Sequence, residues 1–244
     1  MKKGLTFLLM LISLLSFSSV ANAEETTQIP SNVTKNLKVA SDSHKVFQSV
    51  QIKKEGDKRS IVIDDSRKDD GIPEYYEVTV DENNGTYKAI KRNSLVKSNN
   101  LISSQKSNIL TPLSTYSYTA HVRAHTYDPV NIDCNWTELG ESWSESSGSF
   151  SLNWRSLHTW DAKPTSLGTY WYYVWSHYNN DPLYYNSASA QHVNYNFGGG
   201  ILGTTYAEHW IYISPESHGN YHWEAQLNTS GVAGNLLHIG VETY

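Results

Sequence analysis

The residues best suited to chemistry lie between Thr205 and Asn228, in the segment TYAEHWIYISPESHGNYHWEAQLN. Two alternating stretches flank residues 214–220, where Pro, Gly and Asn are typical of a turn. Because successive side chains of a strand point to opposite faces, a hairpin places six polar or aromatic side chains on one side. These six residues are Glu208, Trp210, Tyr212, His222, Glu224 and Gln226.

The register that we expect for this hairpin sets Ile213 opposite Tyr221, so that Trp210 lies opposite Glu224. The other face then carries mostly apolar residues together with His209, and we expect it to pack in the core. A shift of one residue in either strand would move its polar and aromatic side chains to the other face, so the arrangement depends on the register.

The six-residue face predicts a ligand-binding surface for a glycan or a cell-wall or cell-surface polymer. Aromatic rings offer flat apolar surfaces to the C–H faces of a sugar, while carboxylates and amides hydrogen-bond its hydroxyls. The ordinary solvated face of a sheet has a similar composition, because Tyr, Trp and charged residues are common cross-strand partners. Both interpretations stay open at the level of sequence.

The two carboxylates of this face also suggest an alternative, a secreted glycoside hydrolase. In the expected register Glu208 and Glu224 are diagonal neighbours, roughly 7–8 Å apart. Hydrolysis needs two carboxyl groups separated by about 5–5.5 Å or about 6.5–9.5 Å, depending on the stereochemistry. No glycosidase signature accompanies the pair, so we expect a binding protein rather than an enzyme.

A second aromatic segment, TYWYYVWSHY, covers residues 169–178. Strict alternation places Trp171, Tyr173, Trp175 and His177 on one face, and the first three are further candidate ligand-binding residues. The opposite row is also mainly aromatic. A strand that is aromatic on both faces is most simply a central strand, with one of its rows in the core.

The histidines do not form a convincing metal-binding motif. His121 and His125 belong to an alternating stretch, and residues four apart in a strand are about 13 Å apart, too far for one zinc ion. His218 and His222 flank the predicted turn, with Glu216 nearby, but their spacing is a weak signal. We therefore predict no metal and no cofactor.

Cysteine usage excludes a disulfide framework. Cys134 is the single cysteine, so no intrachain disulfide can form. Its neighbours, Asp133 and Asn135, do not favour a reactive thiolate, and we interpret the residue as a structural thiol.

A third functional class is a membrane-acting toxin or bacteriocin. The segment FGGGILGTTY, residues 197–206, is rich in glycine and carries Ile201 and Leu202. Exposed aromatic residues can sit at a bilayer interface. The acidic charge of this part of the chain is unsuited to anionic membranes, and the simpler interpretation is a loop between strands.

Composition divides the chain near Thr115. All eight Trp residues lie beyond that point, and residues 116–244 contain three basic and eleven acidic residues. Residues 24–115 are nearly neutral, with fourteen basic and thirteen acidic residues. The acidic, aromatic-rich second part argues against a nucleic-acid partner, because such binders carry a basic surface.

The N-terminus predicts export. Lys2 and Lys3 precede an apolar run, Leu5 to Phe17, and Ala21-Asn22-Ala23 fits a cleavage site. The run is shorter than the roughly 20 residues of a transmembrane helix. We expect a signal peptide at residues 1–23, cleaved near Ala23, and a secreted extracellular protein without a stable membrane anchor.

The rest of the chain predicts an all-β protein. Residues 24–92 contain two expected hairpins, around Gly56 and Asn84-Gly85. We expect them to be a small β subdomain, a propeptide or a spacer, either docked on the C-terminal part or partly disordered. Residues 93–115 are expected to be a linker. Residues 116–244 are expected to form an antiparallel sandwich of the jelly-roll kind. The seven strands expected there are 117–127, 148–156, 168–178, 190–197, 204–213, 220–228 and 235–243.

Overall fold

Alternation of buried and exposed side chains runs along most of the chain and produces strands almost throughout. The structure, a computed structural model, describes residues 33–66, 74–93, 115–163, 169–179 and 186–244. The predicted signal peptide and nearly all of the predicted linker lie outside the described residues.

Fourteen strands form in the described residues. They are β1 (Val33–Asn36), β2 (Lys38–Val39), β3 (Ser49–Glu55), β4 (Lys58–Asp65), β5 (Glu74–Asp81), β6 (Thr86–Arg92), β7 (Tyr116–Tyr127), β8 (Asp133–Ser146), β9 (Ser149–Asp161), β10 (Trp171–Tyr178), β11 (Ser187–Asn194), β12 (Thr205–Pro215), β13 (Tyr221–Gly231) and β14 (His238–Thr243). Two short 3₁₀ turns, Ser217–Gly219 and Gly234–Leu236, are the helical elements of this part of the chain. No helix among the described residues is long and apolar enough to cross a membrane.

The strands form two seven-stranded sheets that pack face to face. Sheet A has the order β1-β3-β4-β13-β12-β11-β10, and sheet B has the order β2-β6-β5-β14-β7-β8-β9. All pairs are antiparallel except the short parallel pair β2–β6. The predicted all-β antiparallel sandwich is therefore confirmed.

The inner faces of the two sheets meet in one hydrophobic core. Ile211 and Ile213 of β12 and Ile63 of β4 contribute from sheet A, and Leu139 and Trp143 of β8 contribute from sheet B. These side chains are almost completely removed from water, which is the main favourable contribution to folding.

The two halves that composition separates belong to the same sheets. Strand β4 pairs with β13, and β5 pairs with β14, so the described strands before residue 93 complete both layers of the sandwich. The described strands accordingly belong to one compact unit. Net charge reflects mainly solvent-facing side chains, whereas strand partnership depends on backbone groups that composition does not reveal.

The sequence predicts seven strands in residues 116–244, whereas the structure has eight there, β7 to β14. The strand that the prediction lacks is β8. Its sequence, DCNWTELGESWSES, does not alternate because residues on both of its faces are buried. Glu138 and Glu141 interrupt the apolar pattern although both side chains are buried. A central strand with polar residues on its buried faces lacks the period-two signal that marks a half-exposed strand.

A chain of hydrogen bonds joins the two sheets through the core. Thr126 Oγ1 lies 2.9 Å from His209 Nε2, and His209 Nδ1 lies 3.0 Å from Thr137 Oγ1. Thr137 Oγ1 also lies 3.0 Å from His192 Nε2, and His192 Nδ1 lies 2.7 Å from Asp161 Oδ1. Burial lowers the pKa of His209 well below its usual value, so its imidazole is neutral at physiological pH.

Replacing Thr137 by valine tests this connection. The Thr137→Val variant keeps the volume but leaves buried nitrogens of His192 and His209 without the shared hydroxyl, so we expect the free energy of unfolding to fall by about 1–3 kcal/mol. Urea denaturation measures the change. Thr79→Val, at an exposed position of β5 in the same sheet, is the matched control. Equal stabilities of the two variants would contradict a role for the hydroxyl.

Glu141 is a fully buried carboxyl group on β8. Its Oε1 accepts a hydrogen bond of 2.9 Å from Asn186 Nδ2, while Oε2 has no hydrogen-bond partner in the described part of the chain. Burial raises the pKa of Glu141 to about 8, and the opposing effect of Arg155 is smaller. The side chain therefore carries a proton at neutral pH.

This proton makes folding stability depend on pH. Between pH 4.5 and about 8 the folded chain retains the proton that the unfolded chain has lost. Stability should therefore fall as pH rises through that window, by a few kcal/mol in total. Glu141→Gln should flatten this dependence, measured by urea denaturation at pH 5 and pH 8. The exposed Glu55→Gln is the control, and parallel pH curves for wild type and Glu141→Gln would rule the effect out.

Candidate functional site

The six residues predicted to share a face do so, in a different register. Pro215 lies opposite Tyr221, which is two residues away from the expected pairing. An even shift keeps every side chain on its side of the sheet. Glu208, Trp210, Tyr212, His222, Glu224 and Gln226 are all half-buried on the outer face of sheet A. The residues between them, His209 included, are buried in the core.

The loop between β12 and β13 explains the change of register. Ser214 and Pro215 continue β12, so five residues rather than seven connect the strands. The backbone N–H of Glu216 donates to the carbonyl of Asn220 at 2.7 Å, and His218 adopts a positive φ of 64°. Pro215 was expected in the turn, but a proline is also tolerated at the end of a strand.

The new register separates the two carboxylates that hydrolysis would need. Glu208 lies opposite Asn228, whereas Glu224 lies opposite Tyr212. The two glutamates are therefore four strand positions apart, about 13 Å at about 3.3 Å per residue. This backbone spacing is wider than the roughly 7–8 Å of the diagonal pairing expected from the sequence, so the two carboxyl groups are less suited to the paired roles of a glycosidase.

Two aromatic rings stack on each other on the outer face of sheet A and form an aromatic strip. The rings of Trp210 and Tyr212 are nearly parallel, with centroids 6.1 Å apart and an interplanar angle of 13°. His222 meets the Tyr212 ring edge-on at 5.9 Å. Cross-strand neighbours of this strip are Gln226, opposite Trp210, and Glu224, opposite Tyr212.

The second predicted set, Trp171, Tyr173 and Trp175, is not on one face. Tyr173 lies opposite His192 but Trp175 lies opposite Gln191, so a bulge at Val174 reverses the alternation. Trp171 is buried in the core, and Tyr173 points to the same side, where it remains 47% exposed at the sheet edge.

Trp175 extends the outer face of sheet A onto its edge strand. It lies opposite Gln191, which in turn lies opposite Glu208. His177 comes next on the same face, with its ring 4.9 Å from that of Trp175. The outer face therefore carries aromatic residues on two non-adjacent strands, β10 and β12.

Polar groups of this face are partly removed from water. Burial raises the pKa of Glu208 even though Lys58 and His177 act in the opposite direction. Gln226 Nε2 donates a hydrogen bond of 2.6 Å to Asn228 Oδ1. A carboxylate and amides that are partly desolvated beside aromatic rings can hydrogen-bond the hydroxyls of a polar ligand.

Asp64, which no sequence pattern singles out, joins the site from the N-terminal region. Asp64 of β4 lies directly opposite Glu224 of β13. His222 Nε2 is 3.1 Å from Glu224 Oε1 and 3.9 Å from Asp64 Oδ1. Burial and the neighbouring Glu224 raise the pKa of Asp64, although His222 opposes them, and the hydrogen bond to Glu224 raises the pKa of His222. Strand pairing between distant segments leaves no local sequence signal.

His218 does not join this cluster. Its backbone N–H donates a hydrogen bond of 2.8 Å to Glu145 Oε2 of sheet B, and its side chain is exposed. Of the histidines that flank the β12–β13 loop, only His222 lies beside two carboxylates in the described residues.

The outer face of sheet B carries a second aromatic surface that sequence analysis did not single out. The Arg123 guanidinium lies 4.5 Å from the centre of the Trp136 ring, which is nearly parallel to Trp160 at 6.5 Å. Trp154 and Trp160 are each 43% exposed. The alternation of YTAHVRAHTYD, residues 118–128, is the local signal for this face.

Arg123 and Glu138 on the outer face of sheet B are paired within the protein. Burial raises the pKa of Glu138, but hydrogen bonds with His121, Tyr244 and Arg123 lower it to about 2. Arg123 also pairs with Glu242 at 3.1 Å. Such a network contributes to the stability of the fold.

The glycine-rich segment is anchored at its start. Phe197 is buried and packs edge-on against Trp171, with ring centroids 6.1 Å apart. Gly198, Gly199 and Gly200 have positive φ angles, and Ile201 is 87% exposed.

A cleft of about 570 Å³ lies away from the outer face of sheet A, at the β3–β4 and β5–β6 turns. Within it Glu82 pairs with Lys54 and with Arg59, whose Nε lies 2.8 Å from Glu82 Oε1.

Comparisons with protein-family models, with curated proteins and with solved structures find no match to this chain. The function of its surfaces must therefore be inferred from their geometry.

The bulge in β10 predicts opposite roles for two neighbouring tryptophans. Trp171→Ala removes a core ring and should lower the free energy of unfolding by about 3–5 kcal/mol. Trp175→Ala, on the outer face, should cost much less. Thermal and urea denaturation of the two variants measure the difference. Similar decreases in the free energy of unfolding for both variants would contradict the assignment of Trp175 to the outer face.

Proposed function

We propose that this protein is a secreted binding protein that recognises a glycan or another neutral polar polymer through the outer face of sheet A. The observation that carries the proposal is the strip formed by Trp210 and Tyr212, with partly desolvated polar groups on both sides. Export is inferred from the signal-peptide pattern at the N-terminus.

The extent of the face, which runs across β10, β11, β12 and β13, favours an extended ligand. Small molecules need concave sites that cover most of their surface. A polymer can instead gain affinity from several weak contacts along a flat surface. Trp175 on β10 is aligned with Glu208, two strand spacings across the sheet and two residues along from Trp210, at about 12 Å, and so offers a second stacking position.

The charge of the domain favours a neutral ligand. Residues 116–244 have an excess of acidic residues, and Glu208 and Glu224 lie on the face itself. Acidic polymers such as nucleic acids would be repelled.

A glycoside hydrolase is less favoured by the geometry. The backbone spacing of about 13 Å between Glu208 and Glu224 makes this pair less suited to the paired roles of either mechanism. A binding surface does not need the two carboxylates to be close.

Substitution of the strip tests the proposal. Trp210→Ala should weaken binding to an array of plant, fungal and bacterial cell-wall polysaccharides by about tenfold or more, because buried aromatic contacts dominate such interfaces. Trp160→Ala is the matched control, since it removes a half-exposed tryptophan from the outer face of sheet B. Circular dichroism checks that both variants fold.

Other outcomes would overturn the proposal in distinct ways. Loss of binding in Trp160→Ala alone would assign the ligand to sheet B. Release of reducing ends that Glu208→Gln abolishes would identify a hydrolase. Leakage of dye from lipid vesicles, without polysaccharide binding, would instead favour a membrane-acting toxin.

A further inference from the structure

Three potential metal ligands converge on the outer face of sheet A. Asp64 of β4 and His222 and Glu224 of β13 each offer one ligand atom, and these atoms all lie within 4.8 Å of one another. The register explains the convergence: Asp64 is directly opposite Glu224, and His222 is two residues away on the same face. The arrangement is therefore held by two paired strands rather than by a loop.

The cluster has unbalanced charge and an unused acceptor. Two carboxylates directly opposite each other on adjacent strands repel and destabilise the pairing. The Oδ1 atom of Asp64 is buried and has no hydrogen-bond partner among the described residues. A single imidazole faces both carboxylates, so a cation at this point would relieve the repulsion and use the free acceptor.

We propose that Asp64, His222 and Glu224 bind a divalent metal ion, with Zn²⁺ as the best match. A tetrahedral zinc ion with bonds of about 2.0–2.2 Å holds its ligand atoms about 3.4 Å apart. The distances from His222 Nε2 to the two carboxylate oxygens, 3.1 and 3.9 Å, lie on either side of that value. Mixed imidazole and carboxylate ligands suit zinc, whereas Ca²⁺ takes oxygen ligands.

The ion would act as a clamp between β4 and β13. It would replace repulsion between the two strands with shared ligation, at the position where the N-terminal region joins the rest of sheet A. The three side chains are half-buried, which leaves the fourth coordination position to solvent. The site shares His222 and Glu224 with the proposed ligand face, but binding of the ion does not require a glycan.

Direct titration tests the site. The secreted chain is stripped with EDTA and titrated with ZnCl₂ by isothermal titration calorimetry, and we expect one saturable site per chain and a higher melting temperature. Asp64→Asn and His222→Gln should each weaken zinc binding by about tenfold or more. Glu208→Gln and His218→Gln remove a carboxylate of the same face and a histidine of the adjacent loop, and they should bind zinc like the wild type.

Further measurements make each outcome decisive. Co²⁺ should bind in place of zinc, with the intense visible absorption of a tetrahedral site, and Asp64→Asn should lose that absorption even if His222→Gln does not fold. Absence of saturable zinc binding, or equal affinity in wild type and Asp64→Asn, would overturn the proposal. Binding of Ca²⁺ but not Zn²⁺ would overturn the choice of metal. Trp210→Ala should still bind zinc but should lose polysaccharide binding. The zinc-site proposal and the polysaccharide-binding proposal can therefore fail independently of each other.

Discussion

The antiparallel pairing of β13 with β4 is the contact on which the architecture depends. Without it β13 would present a row of unpaired backbone groups, and sheet A would lose three of its seven strands. The pairing connects the N-terminal region to the C-terminal strands, while β5 and β14 make the corresponding connection in sheet B. It also brings Asp64 beside Glu224. The cluster of Asp64, His222 and Glu224 therefore exists only because β4 pairs with β13.

The core between the two sheets contains hydrogen-bonded polar side chains as well as apolar ones. The chain from Thr126 through His209, Thr137 and His192 to Asp161 connects strands of both sheets by hydrogen bonds. Buried polar groups are costly when unpaired, so such a chain specifies one relative position of the sheets rather than adding much net stability. Because its buried positions are not uniformly apolar, β8 also lacks the alternating pattern that predicts a strand.

The sequence predicts which residues of β12 and β13 share the outer face, but not which of them lie opposite each other. Alternation along β12 and β13 correctly placed Glu208, Trp210 and Glu224 on one side, because an error of two residues in register preserves the faces. The same error changed which residues are opposite, and it moved the two glutamates apart. In β10 a single bulged residue, Val174, separated Tyr173 from Trp175, and nothing in the local pattern marks that position.

The sequence by itself determined the all-β class, the assignment of β12 and β13 to an inner and an outer face, and the lack of an intrachain disulfide. These properties result from period-two alternation and from residue counts, which are local features of the chain. The tertiary structure alone decided the strand order, the incorporation of strands β1 to β6 into the two sheets, and the meeting of Asp64 with His222 and Glu224. Pairing between distant strands is set by backbone hydrogen bonds and burial of whole faces, and neither leaves a signature in a short segment.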